Sequence, residues 1–96
     1  MKKILPKLKL ENIVDLLCTT DVKHLDLPES NDWNGLCSYQ QQALYINKNQ
    51  DINSNRNTVI HELYHAFWGN KGLTHTEKDV EKYTSNLYKQ LYERKK

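Results

Sequence analysis

The sequence predicts a small α+β domain: an N-terminal helix, a β-hairpin or small sheet, a long central helix and a C-terminal helix. Three observations predict it. Apolar residues recur at helical spacing near both ends of the chain. They alternate with period two in "GLCSYQQQALYIN", and polar, turn-forming runs separate these stretches. At 96 residues the chain suits one domain, residues 1–96, with a single modest core.

Near the N-terminus Ile4, Leu5 and Leu8, then Ile13, Leu16 and Leu17, follow a helical repeat. Pro6 fits only in a first turn, so the continuous helix is expected after it, ending near Thr19 and Thr20. "DVKHLDLPESNDWNG" has no clear period and contains Pro28, Asn31, Asp32, Asn34 and Gly35, so it reads mainly as loop, with Trp33 as an anchor. In the next stretch Leu36, Ser38 and Gln40 alternate with Cys37 and Tyr39, and Leu44 and Ile46 with Ala43, Tyr45 and Asn47. That pattern is a hairpin joined through glutamines without a glycine. "KNQDINSNRN" is a polar turn that offers several N-caps. A helix over about 55–68 then carries Ile60, Leu63 and Phe67 on one stripe, with Val59 and Ala66 beside it and Gly69 and Gly72 to close it. The last helix, about 76–93, presents Val80, Leu87 and Leu91 with Tyr83, Tyr88 and Tyr92.

Bulk properties exclude several function classes. A net charge of +2, carried by lysines gathered at the two ends, is too weak a field for nucleic-acid binding. No apolar run approaches the roughly 20 residues that span a bilayer. The N-terminal apolar residues are interrupted by Pro6, Lys7, Lys9 and Glu11, which leaves no signal-peptide core. The expectation is a cytoplasmic monomer that acts on a protein or peptide, with no nucleic-acid or membrane partner. Cys18 and Cys37 form no CxxC pair and are expected as buried thiols outside any disulfide or metal site.

The chemistry concentrates in "NTVIHELYHAFWG", residues 57–69. His61 and His65 stand one helical turn apart, so both imidazoles leave the same face and can share one Zn²⁺. Glu62 follows the first histidine and is placed to take a proton from a water that the metal activates. The ligands must be neutral donors and the base anionic, which is the reason for these residue types at this spacing.

On these residues the chain resembles the HExxH metallopeptidases called zincins, and more closely the ImmA/IrrE-like group with its small phage-encoded relatives. The resemblance runs from about Trp33 to Leu91, through "WNGLCSYQQQALYIN", "RNTVIHELYHAF" and a last helix with an acidic start. It implies a minimal zincin-like domain with a strand pair beside the active-site helix, a zinc cofactor and hydrolysis of a peptide bond. In the larger members the substrate is typically a repressor protein of a mobile element, so a repressor or host protein in a phage setting is implied here.

The third zinc ligand stays open between Glu77, Glu81 and His75. The ImmA/IrrE-like pattern lays a glutamate ligand on Glu77, with Val80, Tyr83 and Thr84 following in register. Against this, Thr74 and Glu77 fit a capping box, which would occupy the carboxylate with a backbone amide. For a plain antiparallel helix pair, a return helix that starts near Thr74 reaches the height of the histidines around Glu81.

Other residues carry weaker expectations. Tyr64 points away from the metal into the core. Arg56 is expected in a structural salt bridge. Tyr45 could donate to an oxyanion, His24 is an exposed loop residue, and His75 could either hold a metal ligand in place or stabilise the oxyanion. Two functional readings follow: a zinc metalloendopeptidase with Glu62 as base, or a zincin-like binding module or inhibitor that acts without proteolysis.

Overall fold

A computed structural model describes residues 4–27 and 33–93. Among them lie helix α1 (Leu10–Thr19), strands β1 (Asp21–Leu25), β2 (Gly35–Ser38) and β3 (Ala43–Asn47), and helices α2 (Ile52–Asn70) and α3 (Glu77–Tyr92). The three helices and three-stranded sheet make a small α+β domain. None of these helices is long and apolar enough to cross a membrane.

Helix α2 is the centre of the fold because its apolar residues do not keep to one face. Glu62, Leu63 and Tyr64 are buried in succession, and so are Ala66, Phe67 and Trp68. A helix buried over that much of its circumference must be covered by several elements at once. Leu44 of β3 joins Ile60, Leu63, Phe67 and Trp68 in one core cluster, to which α3 adds Val80 and α1 adds Leu16. The helix starts at Asp51, whose carboxylate accepts from the Ser54 amide and hydroxyl.

Strand β3 runs in the middle of the sheet, parallel to β1 and antiparallel to β2. The expected hairpin is present, and its tight turn puts Gln42 at φ 50°, a conformation usually left to glycine or asparagine. Strand β1 corrects the sequence reading, in which residues 21–25 were loop. Its Asp21, Lys23 and His24 are exposed, so only Val22 and Leu25 carry an apolar signal. The pairing of Asp21 through Leu25 with Ala43 through Asn47 makes the strand, not its own side chains. His24 is accordingly an exposed strand residue. The loop signals at Pro28, Asn31 and Asp32 lie outside the described residues, while Trp33 is held through its carbonyl by the Asn47 side-chain amide at 2.8 Å.

The N-terminal segment, residues 4–9, is a non-helical strap across α2 and α3. Helix α1 starts only at Leu10, where the Asn12 side chain accepts from the Lys9 amide. Leu5 and Leu8 are three apart and mimic a helical repeat, but they bury themselves singly. Three aromatic side chains fasten the strap by their polar tips. The Leu8 amide donates to the Tyr64 hydroxyl at 3.2 Å, the Trp68 indole donates to the Pro6 carbonyl at 2.9 Å, and the Tyr83 hydroxyl donates to the Leu5 carbonyl at 3.2 Å. Tyr64 is thus a core residue, as its position opposite the histidines implied. Cys18, expected buried, is exposed on α1, whereas Cys37 is half-buried on β2.

Tyr64→Phe keeps the ring and removes the acceptor of a buried amide. It should cost about 1–2 kcal/mol of stability in urea unfolding, with an unchanged denaturant slope. Faster hydrogen exchange at the Leu8 amide would assign that loss to the strap.

Candidate metal centre

Helix α2 projects His61 and His65 toward the start of α3, their ring centroids 4.9 Å apart. There Glu77 meets both. His61 Nε2 lies 3.1 Å from Glu77 Oε2, and His65 Nε2 lies 3.0 Å from Glu77 Oε1. One ligand atom from each of the three residues falls within 4.8 Å of the others. Tetrahedral zinc with bonds of about 2.0–2.1 Å would hold its donors about 3.3 Å apart, a spacing that small side-chain adjustments of this trio can reach.

The turn between α2 and α3 explains why Glu77, rather than Glu81, reaches the histidines. Gly72 adopts φ 69°, its amide donates to the Gly69 carbonyl at 3.0 Å, and the Leu73 amide donates to the Trp68 carbonyl at 2.9 Å. This is a Schellman closure that turns the chain back at once. Residues 73–76 are non-helical, and such a segment covers up to about 3.3 Å per residue against 1.5 Å in a helix. The chain therefore regains the height of His61 and His65 before α3 begins, four residues sooner than a helical return from Thr74 would. The capping box is also not the expected one. Thr76 Oγ1 accepts from the Asp79 amide at 3.2 Å and Asp79 Oδ2 accepts from the Thr76 amide at 2.9 Å, which leaves the Glu77 carboxylate out of the cap. Glu81, one turn on, lines a neighbouring arm of the cleft with His61 and Glu62.

His75 belongs behind the ligands. Its Nδ1 lies 2.9 Å from the Leu73 carbonyl, and its Nε2 lies 3.0 Å from His65 Nδ1. A carbonyl can only accept, so His75 Nδ1 carries the proton and, in the neutral ring, Nε2 is the acceptor. His65 Nδ1 must then be the donor, which leaves His65 Nε2 with a bare lone pair aimed at a carboxylate oxygen. Two lone pairs at 3.0 Å need a cation between them. A proton is a poor answer, because burial, ahead of the opposing pull of Glu77, lowers the His65 pKa. A metal ion meets the same need without protonating the ring, and the donor set of two imidazoles and one carboxylate suits zinc.

Glu62 stands beside this trio and outside it, with only 7 % of its surface exposed. Burial, and then the charge of Glu77, raises its pKa to about 7. The tight seat comes from β2. A Cβ on Gly35 would fall 2.6 Å from Thr58 Cγ2 and 3.3 Å from Glu62 Cγ, so only glycine lets the strand approach α2 this closely. Cys37, two residues along, also lines the cleft. Burial, reinforced by Glu62, pushes its thiol up to about 11, so it is a neutral group near neutral pH. The Tyr39 hydroxyl donates to the His65 carbonyl at 3.0 Å while its ring covers Gly69.

Gly35 and Tyr39 were not singled out in the sequence, where the first reads as loop punctuation and the second as one of six tyrosines. Tyr45 is placed differently from expectation. It pairs with Leu36 and Lys23 on the sheet face opposite Leu44 and Ile46, and its hydroxyl donates to the Gln41 side chain, away from the cleft. Arg56 does hold structure, though by stacking: its guanidinium carbon lies 4.3 Å from the centre of the Tyr92 ring.

Two outcomes are expected. His75→Ala should weaken zinc binding about ten- to a hundredfold in competition with a chromophoric chelator, and His75→Asn, which restores an oxygen acceptor, should recover part of it. Gly35→Ala should destabilise the domain by roughly 1–3 kcal/mol in urea unfolding, and by less in a Thr58→Ser background that removes the clashing methyl. Comparisons with known protein families, with curated proteins and with solved structures find no match to this chain.

Proposed function

We propose that this chain is a small zinc-dependent peptidase of the zincin kind, akin to the ImmA/IrrE-like group, that cleaves a peptide bond in a protein such as a repressor or host factor. One observation carries the reading. His61, His65 and Glu77 converge on a point beside a buried carboxylate, Glu62, that takes no part in their contacts.

His61, His65 and Glu77 would hold the zinc, which would supply Lewis acidity to an attacking water and to the scissile carbonyl. Glu62 accepts the proton of that water and returns it to the departing amine. A carboxyl group with a pKa raised toward neutrality is suited to both transfers, since it is an adequate base and an adequate acid at the same pH. The Leu73 carbonyl and His75 hold the His65 ring with Nε2 free to ligate. Strand β2 is an edge strand whose Gly35, Leu36 and Cys37 line the cleft, so an extended peptide can lie along it as a further strand.

Native mass spectrometry should find one zinc per chain in the wild type and in Glu81→Ala, and none in Glu77→Ala. Glu62→Gln should keep the zinc and lose at least about a hundredfold in hydrolysis of a degenerate fluorogenic peptide library. A protein that takes up no zinc even from excess metal sinks the peptidase reading. Full biological effect in Glu62→Gln would instead favour the binding module.

A further inference from the structure

The cleft has two arms that share Gly35, His61 and Glu62. One holds the candidate ligands. The other, about 630 Å³ in volume, runs from Glu62 along the groove between α2 and α3 and has no part in the chemistry derived above. Its walls are mixed: Asn34, Ser54, Asn57, Glu81 and Ser85 line it together with Trp33. Among the described residues no lysine or arginine lines it, and the ionisable groups there are His61, Glu62 and Glu81. Thr84 is 4 % exposed, and its hydroxyl oxygen is buried without a hydrogen-bond partner among the described residues. Groups of this kind are normally paired, so an unpaired one in the wall of a cavity points to a missing polar partner.

We infer that this arm is a subsite for a lysine or arginine side chain of the substrate, with the Glu81 carboxylate as its ionic partner and the Asn57 and Ser85 side chains as hydrogen-bond partners. The inference rests on the peptidase reading for its setting, and it extends that reading to the class of substrate. Charge and desolvation select among the alternatives. An acidic side chain would meet Glu62 and Glu81, both carboxylates. An apolar one would strip water from the wall amides and hydroxyls and return no hydrogen bonds. A long cationic side chain brings only donors to a wall whose amide, hydroxyl and carboxylate oxygens can accept, and its apolar stem can lie against Trp33. Glu81 is exposed at the rim, where it can meet the charged end while that end remains partly hydrated.

The probes are acetyl-lysinamide, acetyl-argininamide, acetyl-norleucinamide and acetyl-glutamate amide, each titrated into the full chain and followed by amide chemical shifts. The two cationic probes should give saturable shifts at Asn57, Glu81 and Ser85, and norleucine and glutamate should give none. Glu81→Gln should weaken the cationic probes about threefold, and high salt should do the same, as expected for a partly exposed ion pair. Equal shifts from norleucine, an unchanged affinity in Glu81→Gln, or no shift from any probe would overturn the inference. These titrations require no turnover. Cationic selectivity in a protein that binds no zinc would defeat the peptidase reading alone, and zinc-dependent hydrolysis without such selectivity would defeat the subsite alone.

Discussion

The burial of α2 is the constraint from which the rest of the structure follows. A short chain has few elements with which to surround a helix that is apolar over most of its circumference. Here the sheet supplies Leu44 and Ile46, α3 supplies Val80, α1 supplies Leu16, and the N-terminal strap adds Leu5 and Leu8. The strap has no backbone partner strand, so its polar groups fall to Tyr64, Trp68 and Tyr83, each of which buries a ring and offers a polar tip. The strip with His61 and His65 stays half open, and Glu77 faces it.

The electrostatics of that strip follow from the same packing. Burial disfavours charge, and it does so on both sides of the balance: it lowers the pKa of His65 and raises that of Glu62. Both groups are pushed toward neutrality, while Glu77 stands exposed at the mouth. The outcome sets the bare His65 Nε2 against a Glu77 carboxylate oxygen, and the two repel unless something positive sits between them. A divalent ion would also offset the part of the Glu62 shift that Glu77 causes and leave the part that burial causes.

Much of this was legible in the sequence, and the exceptions have physical reasons. The hairpin and the two long helices follow from alternation and helical period, and the relation of His61, Glu62 and His65 follows from helix geometry alone. Strand β1 was hidden because an edge strand needs few apolar residues of its own when β3 supplies the pairing. Leu5 and Leu8 looked helical because a three-residue spacing does not distinguish a helix from an extended strap that dips twice into the core. The choice between Glu77 and Glu81 depended on the pitch of six residues after α2. A single left-handed glycine and a cap on Thr76 rather than Thr74 decided it, and neither is visible to a periodicity argument.

The two glutamates that compete in sequence are divided by that turn into different tasks. They are one helical turn apart on α3, so both face the groove against α2, and what distinguishes them is where along α2 each one falls. Glu77 stands at the level where the two imidazoles of His61 and His65 face α3, and its carboxylate meets both. Glu81 stands beyond it, where α2 presents Ser54, Asn57 and Thr58, none of which carries charge. A carboxylate facing neutral amides and hydroxyls has hydrogen bonds available, and no described lysine or arginine lines the groove to oppose its charge. Its charge therefore faces whatever enters the groove, and the amide and hydroxyl oxygens beside it make a cationic side chain the visitor whose charge and donors both find partners.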